Sequence, residues 1–288
     1  MAKTDQVMLS KAVMTESDAQ PADEPRVPKL FAVFVSFRRI LIFAIIAGAW
    51  QLYGTWLNAP LLFPSLTDTL TALINGIQSG ELLDATWQSV ITLFKGYAIG
   101  VALAVIATTI ATTSRFGSEI LETLTAMFNP LPAIALLPLA LIWFGLGEGS
   151  LIFVLVHSVL WAVALNMSSG FRSVSPTWRM VGHNYGLSLI GFVRRILLPG
   201  AFPSILAGLK VGWAFAWRTL IAAELVFGVS SGGGGLGWFI YNQRNQLETP
   251  SVFAGLVMIM LLGVLFEYGV FRNIERVTVR RWGMHVDN

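Results

Sequence analysis

Residues 170–199 read GFRSVSPTWRMVGHNYGLSLIGFVRRILLP, a basic stretch set between two long apolar segments. It carries Arg172, Arg179, Arg194 and Arg195 and no carboxylate. Short loops rich in arginine lie on the cytoplasmic side of a membrane, so this is expected to be a cytoplasmic loop of a membrane protein. Ser175 is placed to cap a helix whose first position is Pro176, where a missing N–H costs nothing, and Gly186 suits the left-handed residue that ends it. Ser188 is placed to cap a second short helix, which Pro199 is expected to stop. The stretch is therefore predicted to be a helix–turn–helix at the membrane surface, presenting a compact knob to something in the cytoplasm.

Composition supports a membrane setting. Hydrophobic residues make up 55% and charged residues 12% of the 288, and mean hydropathy is +0.68. Soluble domains carry about 25% charged residues. The net charge of +3 comes from basic residues dispersed beside apolar segments, so no nucleic-acid partner is expected. There is no cysteine, which excludes disulfides, thiol catalysis and zinc–thiolate sites. The histidines are too scattered to suggest a metal site.

Outward from the loop, the spans can be read in order. Residues 1–29 mix charge with Pro, Asp and Ser and are expected to form a disordered cytoplasmic tail. The first apolar run begins only at Leu30, too late for a secretory signal. Ile40–Leu57 is long enough to cross a bilayer, as about 20 helical residues do, and Arg38 and Arg39 place its start inside. Next, Leu66, Leu70, Leu73, Ile74 and Ile77 fall at helical spacing behind Ser65 and Asp68, predicting a short capped helix on the outer surface. Trp87–Thr112 is the second span, with Gly96, Gly100 and Ala104 on one face for close packing. The third, about Leu124–Phe144, contains Pro130, Pro132 and Pro138 and cannot be one regular helix. Its break is either a packing kink or the wall of a pathway. Leu151–Met167 is the fourth, with His157 expected to be a hydrogen-bonded packing residue. The fifth covers about Ala201–Phe227 and the sixth Val252–Val270. In this arrangement Arg115, Arg172, Arg179, Arg194, Arg195, Arg272, Arg276, Arg280 and Arg281 all flank spans on the inside. Only Arg244 falls outside, so both termini are expected in the cytoplasm.

The fifth span holds the costly residues. Lys210, Arg218 and Glu224 sit in or at the edge of an apolar segment, where a charge costs roughly 2.5–3.5 kcal/mol, so they are expected to face protein or water. At about 100° per residue, Lys210, Trp213, Trp217 and Glu224 share a polar and aromatic stripe, and Gly208, Gly212 and Ala216 share a close-packing one. These readings make Lys210, Trp213, Trp217, Arg218 and Glu224 the candidate lining of a translocation pathway. Lys210 can also snorkel from the inner end, and Glu224 can serve as a structural hydrogen-bonding group. Lys95 in the second span has the same ambiguity. Ser230–Gly237 (SSGGGGLG) lacks the lysine of a phosphate-binding loop and is read as a flexible outer turn. No catalytic constellation or nucleotide site can be assembled.

The spacing of Gly186, Ile196, Leu198 and Pro199 resembles the tail of the Glu-Ala-Ala…Gly…Ile-x-Leu-Pro loop of ABC-importer permeases. Met180, Val181 and Gly182 stand where that motif has Glu-Ala-Ala. Downstream, AWRTLIAAELVFG (216–228) and Gly235-Leu236-Gly237-Trp238 look like permeases of the nitrate/sulfonate/taurine group, over roughly Trp50–Trp282. The resemblance implies an all-α polytopic membrane protein of the type I ABC importer permease fold, with about six transmembrane helices over residues 30–282 and a short tail at 283–288. It implies a bacterial-type inner membrane location, a homodimer, two cytoplasmic ATPase subunits that bind ATP and magnesium, an extracytoplasmic substrate-binding protein, and no cofactor in this chain. The expected ATPase-coupling residues are Arg179, Met180, Val181, Gly182, His183, Gly186, Leu187, Arg194 and Arg195. The implied solute is a small anion of the sulfonate or nitrate kind. A self-contained secondary transporter or channel, using Glu224 and His157 for ion coupling, is the alternative.

Overall fold

The computed structural model describes residues 29–112, 114–227 and 234–278, without side chains at 29–37, 39 and 227. The expected tails, apart from Lys29, and Arg280 and Arg281 lie outside the described residues. The chain divides into units at Met1–Tyr53 and Gly54–Asn288. In the first, helix α1 (Lys29–Leu57) begins. Ile42, Phe43, Ile45 and Ile46 along it are more than half exposed, as suits a helix facing lipid.

The second unit is helical in every regular element among its described residues. It comprises α2 (Leu66–Gln78), α3 (Glu81–Ala111), α4 (Arg115–Phe128), a 3-10 turn (Ala133–Leu136), α5 (Leu137–Phe144), α6 (Glu148–Ser173), α7 (Pro176–Asn184), α8 (Leu189–Phe192), a π turn (Val193–Leu197), α9 (Leu198–Gly200), α10 (Phe202–Phe227), α11 (Leu236–Asn245), α12 (Thr249–Phe266), a second π turn (Glu267–Phe271) and α13 (Arg272–Val277). Among the described residues, five helices are long and apolar enough to cross a membrane, and α4 with the 3-10 turn and α5 behind it (Ala133–Phe144) is a bent pair that makes a sixth if counted as one span. The expected outer helix forms as α2, and Ser65 and Asp68 close the full capping box on it.

The third span differs in extent from its expected bounds. It starts at Arg115, and its halves Arg115–Phe128 and Ala133–Phe144 are bent by 88°. Pro130 and Pro132 lack the N–H groups that a continuing helix would use, so the backbone turns aside between them.

Helix α6 is the centre of the bundle. It runs parallel to α3, where a Cβ at Gly96 would lie 2.6 Å from Leu155 Cβ and one at Gly100 2.7 Å from Val159 Cβ. It runs antiparallel to α10, where a Cβ at Gly208 would lie 2.6 Å from Asn166 Cβ and one at Gly212 3.0 Å from Val163 Cγ2. The small residues read from the sequence therefore do bring helices together. Leu155, Val159 and Val163 between them are fully buried. Between membrane helices this contact works through dispersion, since lipid tails are as apolar as the side chains.

Gly100→Ala should lower the thermal midpoint of the purified chain, with overpacking costing about 1–3 kcal/mol. Gly263→Ala on α12, where an added Cβ meets nothing within 4 Å, should not lower it. Equal losses in the two variants would contradict the close-packing account.

Candidate functional site

The loop after α6 folds as its punctuation dictates. Ser175 Oγ accepts from Thr177 N at 3.3 Å, opening α7. Gly186 takes φ +62°. Its N–H reaches His183 O at 3.0 Å and that of Leu187 reaches Gly182 O at 3.2 Å, the paired bonds of a Schellman ending. Ser188 Oγ then accepts from Gly191 N at 3.3 Å to open α8. Pro199 does not stop this helix. The chain widens into the Val193–Leu197 π turn and continues as α9, with Pro199 in its first turn. The wider turn accommodates a ring that would clash in a regular α-helix.

The loop is a rigid pair of helices joined to α6. A Cβ at Gly182 would come within 2.7 Å of Phe192 Cδ2, so the helices cross where only hydrogen fits. Arg179 turns back and donates from Nε to Val174 O at 3.2 Å and from Nη2 to Phe171 O, covering carbonyls at the end of α6. Arg179 and Gly182 thus build the knob. Its exposed surface is Trp178, Met180, Val181, Tyr185 and Ile190, of which Tyr185 is 80% exposed. His183, Gly186, Arg194 and Arg195 are also exposed, and Leu187 is half-buried. Trp178, Tyr185 and Ile190 were missed in the sequence because their outward direction is set by the Gly182 crossing.

The other feature is a cavity of 360 Å³ at the break between α4 and α5. It is walled by the Asn129–Ile134 segment, by His157, Ser158 and Trp161 of α6, and by Phe215, Arg218, Thr219 and Ala222 of α10. Trp161 stacks on Phe128 with centroids 5.2 Å apart, and His157 meets Phe128 edge-on at 6.3 Å. Both ring nitrogens of His157 are buried without a hydrogen-bond partner among the described residues, so the expected hydrogen-bonded packing role is not observed. Arg218 has no ion pair or hydrogen bond among the described residues either. Asn129 and Thr219 add polar side chains on the same wall. The cavity therefore offers a guanidinium, an amide and a hydroxyl within an aromatic lining, with the His157 ring nitrogens turned out of reach.

Of the five residues expected to line a pathway, Arg218 lines this cavity and the other four do not. Trp213 is 7% exposed and packs on Phe266 at 4.6 Å and Tyr97 at 5.2 Å. Trp217 packs against the core beside Leu220 and Leu236. Lys210 Nζ pairs with Glu275 Oε2 of α13 at 2.6 Å, and Lys95 pairs with Glu148 at 2.7 Å. Glu224 is 4% exposed. Ser89 Oγ donates to it at 2.8 Å, and Gly237 N donates to its Oε2 at 2.9 Å, while Leu236 N donates to Ser89 Oγ at 2.8 Å. This carboxylate fastens the start of α11 to α3 and α10. A Cβ at Gly235 would lie 2.1 Å from Glu224 Oε1 and one at Gly237 2.6 Å from Glu224 Cβ. Gly235-Leu236-Gly237 is therefore a packed joint and not the flexible turn expected of it; Ser230–Gly233 lies outside the described residues.

A family model described as "Binding-protein-dependent transport system inner membrane component" matches residues 96–278, a range that contains the loop and the cavity. The putative aliphatic sulfonates transport permease protein SsuC of Escherichia coli (strain K12) is 32% identical over 241 residues, 82% of this chain and 88% of that protein. The taurine transport system permease protein TauC of the same organism is 31% identical, over 82% of this chain and 86% of its own length. The nitrate import permease protein NrtB of Synechocystis is 25% identical, over 80% and 85%. In fold, the chain is similar to an inward-facing MetNI methionine ABC transporter, with a TM-score of 0.52 at 17% identity, covering 70% of this chain and 95% of that one.

Glu224→Ala should leave the Gly237 N–H and the Ser89 hydroxyl without their acceptor, at about 1–3 kcal/mol for each unsatisfied group. Glu224→Gln retains a carbonyl oxygen and should lose less. Hydrogen exchange at Leu236 and Gly237 should accelerate in the alanine variant. Unchanged protection there would remove the carboxylate from this joint.

Proposed function

This chain belongs to the binding-protein-dependent transport system inner membrane component family and is a permease subunit of an ATP-driven importer, with hydrolysis left to a partner ATPase; on that premise we propose that it conducts a small oxyanion through the cavity at the α4–α5 break. Membership sets aside the self-contained transporter. The observation that carries the anion reading is Arg218, a cavity-lining guanidinium with no anionic partner among the described residues. Unit charges about 4 Å apart interact by about 4 kcal/mol at an effective dielectric of 20, enough to separate anions from cations. Asn129 and Thr219 offer further donors, as a sulfonate or nitrate group requires. The sulfonate, taurine and nitrate permeases among the relatives support the same solute class.

In this reading the loop faces the cytoplasm of an inner-membrane protein, both termini lie on that side, and two copies of the chain stand on two ATPase subunits that hold ATP and magnesium. A substrate-binding protein delivers solute from the opposite side. The exposed Trp178, Met180, Val181, Tyr185 and Ile190 fit an apolar groove on the ATPase, with Met180 standing where the motif has glutamate. Because Arg179 ties α7 to the end of α6, a push on the knob passes into the helix that carries His157, Ser158 and Trp161.

Arg218→Gln in the assembled transporter should reduce solute uptake by at least tenfold with assembly and basal ATPase activity retained, and Arg218→Lys should restore part of it. Undiminished uptake by the glutamine variant would reject the pathway role. A crosslinker placed at Tyr185 should capture the ATPase, and capture only of proteins from the opposite side would reverse the orientation.

A further inference from the structure

A separate cavity of 230 Å³ lies at the loop end of the bundle, between the end of α3, the start of α4, the end of α6 and the loop helices. Arg115, Arg172 and Arg179 line it, and no carboxylate does among the described residues. Arg172 is paired with Glu122 at 3.2 Å. Arg179 commits Nε and Nη2 to backbone carbonyls and leaves Nη1 without a partner among the described residues. Arg115 has neither ion pair nor hydrogen bond among the described residues. One carboxylate thus offsets three guanidinium groups, and the cavity is short of negative charge.

A second feature of the lining is its hydroxyl groups. The hydroxyls of Ser118 and Ser168 on the wall of this cavity are partly exposed and lack a hydrogen bond among the described residues. Two hydroxyl donors and two incompletely used guanidinium groups border a space that fits a phosphate group. Arginine's planar fork matches phosphate oxygens in two-point contacts.

We propose that this cavity binds a phosphate-class anion, either free in solution or as the headgroup of an anionic phospholipid, and that the bound anion clamps the loop to α3 and α4. The lipid source rests on the loop-inside orientation proposed above, since anionic lipids and basic interhelical pockets meet at the cytoplasmic leaflet. Binding of the free anion is independent of orientation. The clamp places an anion beside the helices that meet the ATPase, at a point distinct from the solute cavity.

The test uses the full-length chain in neutral detergent, titrated with inorganic phosphate by calorimetry, and the same chain in nanodiscs containing phosphatidylglycerol and phosphatidylcholine, with retained lipid counted by native mass spectrometry. Saturable phosphate binding, weakened at least tenfold by Arg115→Gln and severalfold by Ser168→Ala, supports a free-anion site. Selective retention of phosphatidylglycerol, lost in Arg115→Gln, supports the headgroup. Ser118→Asp, at a partly exposed position, should abolish either signal without lowering the melting midpoint in anion-free buffer. Binding that survives Arg115→Gln but disappears in Arg218→Gln would place the anion in the solute cavity and overturn this inference while leaving the proposed function standing. Absence of both phosphate binding and phosphatidylglycerol preference in the unmodified chain would also overturn it.

Discussion

The close approach of α6 to its two neighbours is the constraint on which the other features depend. Glycines at 96 and 100 on one side and at 208 and 212 on the other let backbone meet side chain at Leu155, Val159, Val163 and Asn166. In a bilayer the hydrophobic effect does not drive helices together, so packing at short range has to hold them. Fixing α6 this way leaves His157, Ser158 and Trp161 on its remaining face to wall the cavity. It also fixes the end of α6, from which Arg179 anchors the loop. The cavity wall and the anchored loop are thus parts of one element.

Polar groups divide into two kinds on this frame. Lys210 with Glu275, Lys95 with Glu148, and Glu224 with Ser89 and Gly237 are satisfied within the protein. They hold α13 against α10, α3 against α6, and α11 against both α3 and α10. Arg218 and His157 have no such partners among the described residues, and both line the cavity. Intramembrane charge is costly, so a guanidinium left without a partner among the described residues beside a cavity is what the proposed anion passage rests on.

Most of the architecture was legible because its signals are local. Span lengths follow from apolar runs, the α2 capping box from Ser65 and Asp68, the break from Pro130 and Pro132, and the loop turn from Gly186. The orientation of α10 was only partly legible. Lys210, Trp213, Trp217 and Glu224 do share a protein-facing side, but periodicity alone does not say whether that side meets a core or a cavity. The deciding partners are Glu275, 65 residues later in the chain, and Ser89, 135 residues earlier. Gly235 and Gly237 likewise look like turn residues until the carboxylate they approach is known. Pro199 misled because a π turn, which has no simple sequence signal, carries the helix past it. Family resemblance supplied the ATPase and binding-protein partners, which neither composition nor spacing could have named.

The proposal that this chain is the membrane path of an ATP-driven importer for a small oxyanion predicts transport that can be reconstituted. The most direct measurement is accumulation of radiolabelled solute in liposomes carrying the chain, its ATPase and its binding protein, with ATP supplied on the ATPase side. A sulfonate or nitrate-class anion should accumulate only with all three proteins and hydrolysable ATP, and a cationic analogue of similar size should not. Accumulation by the chain alone, or equal uptake of the cation, would contradict the account.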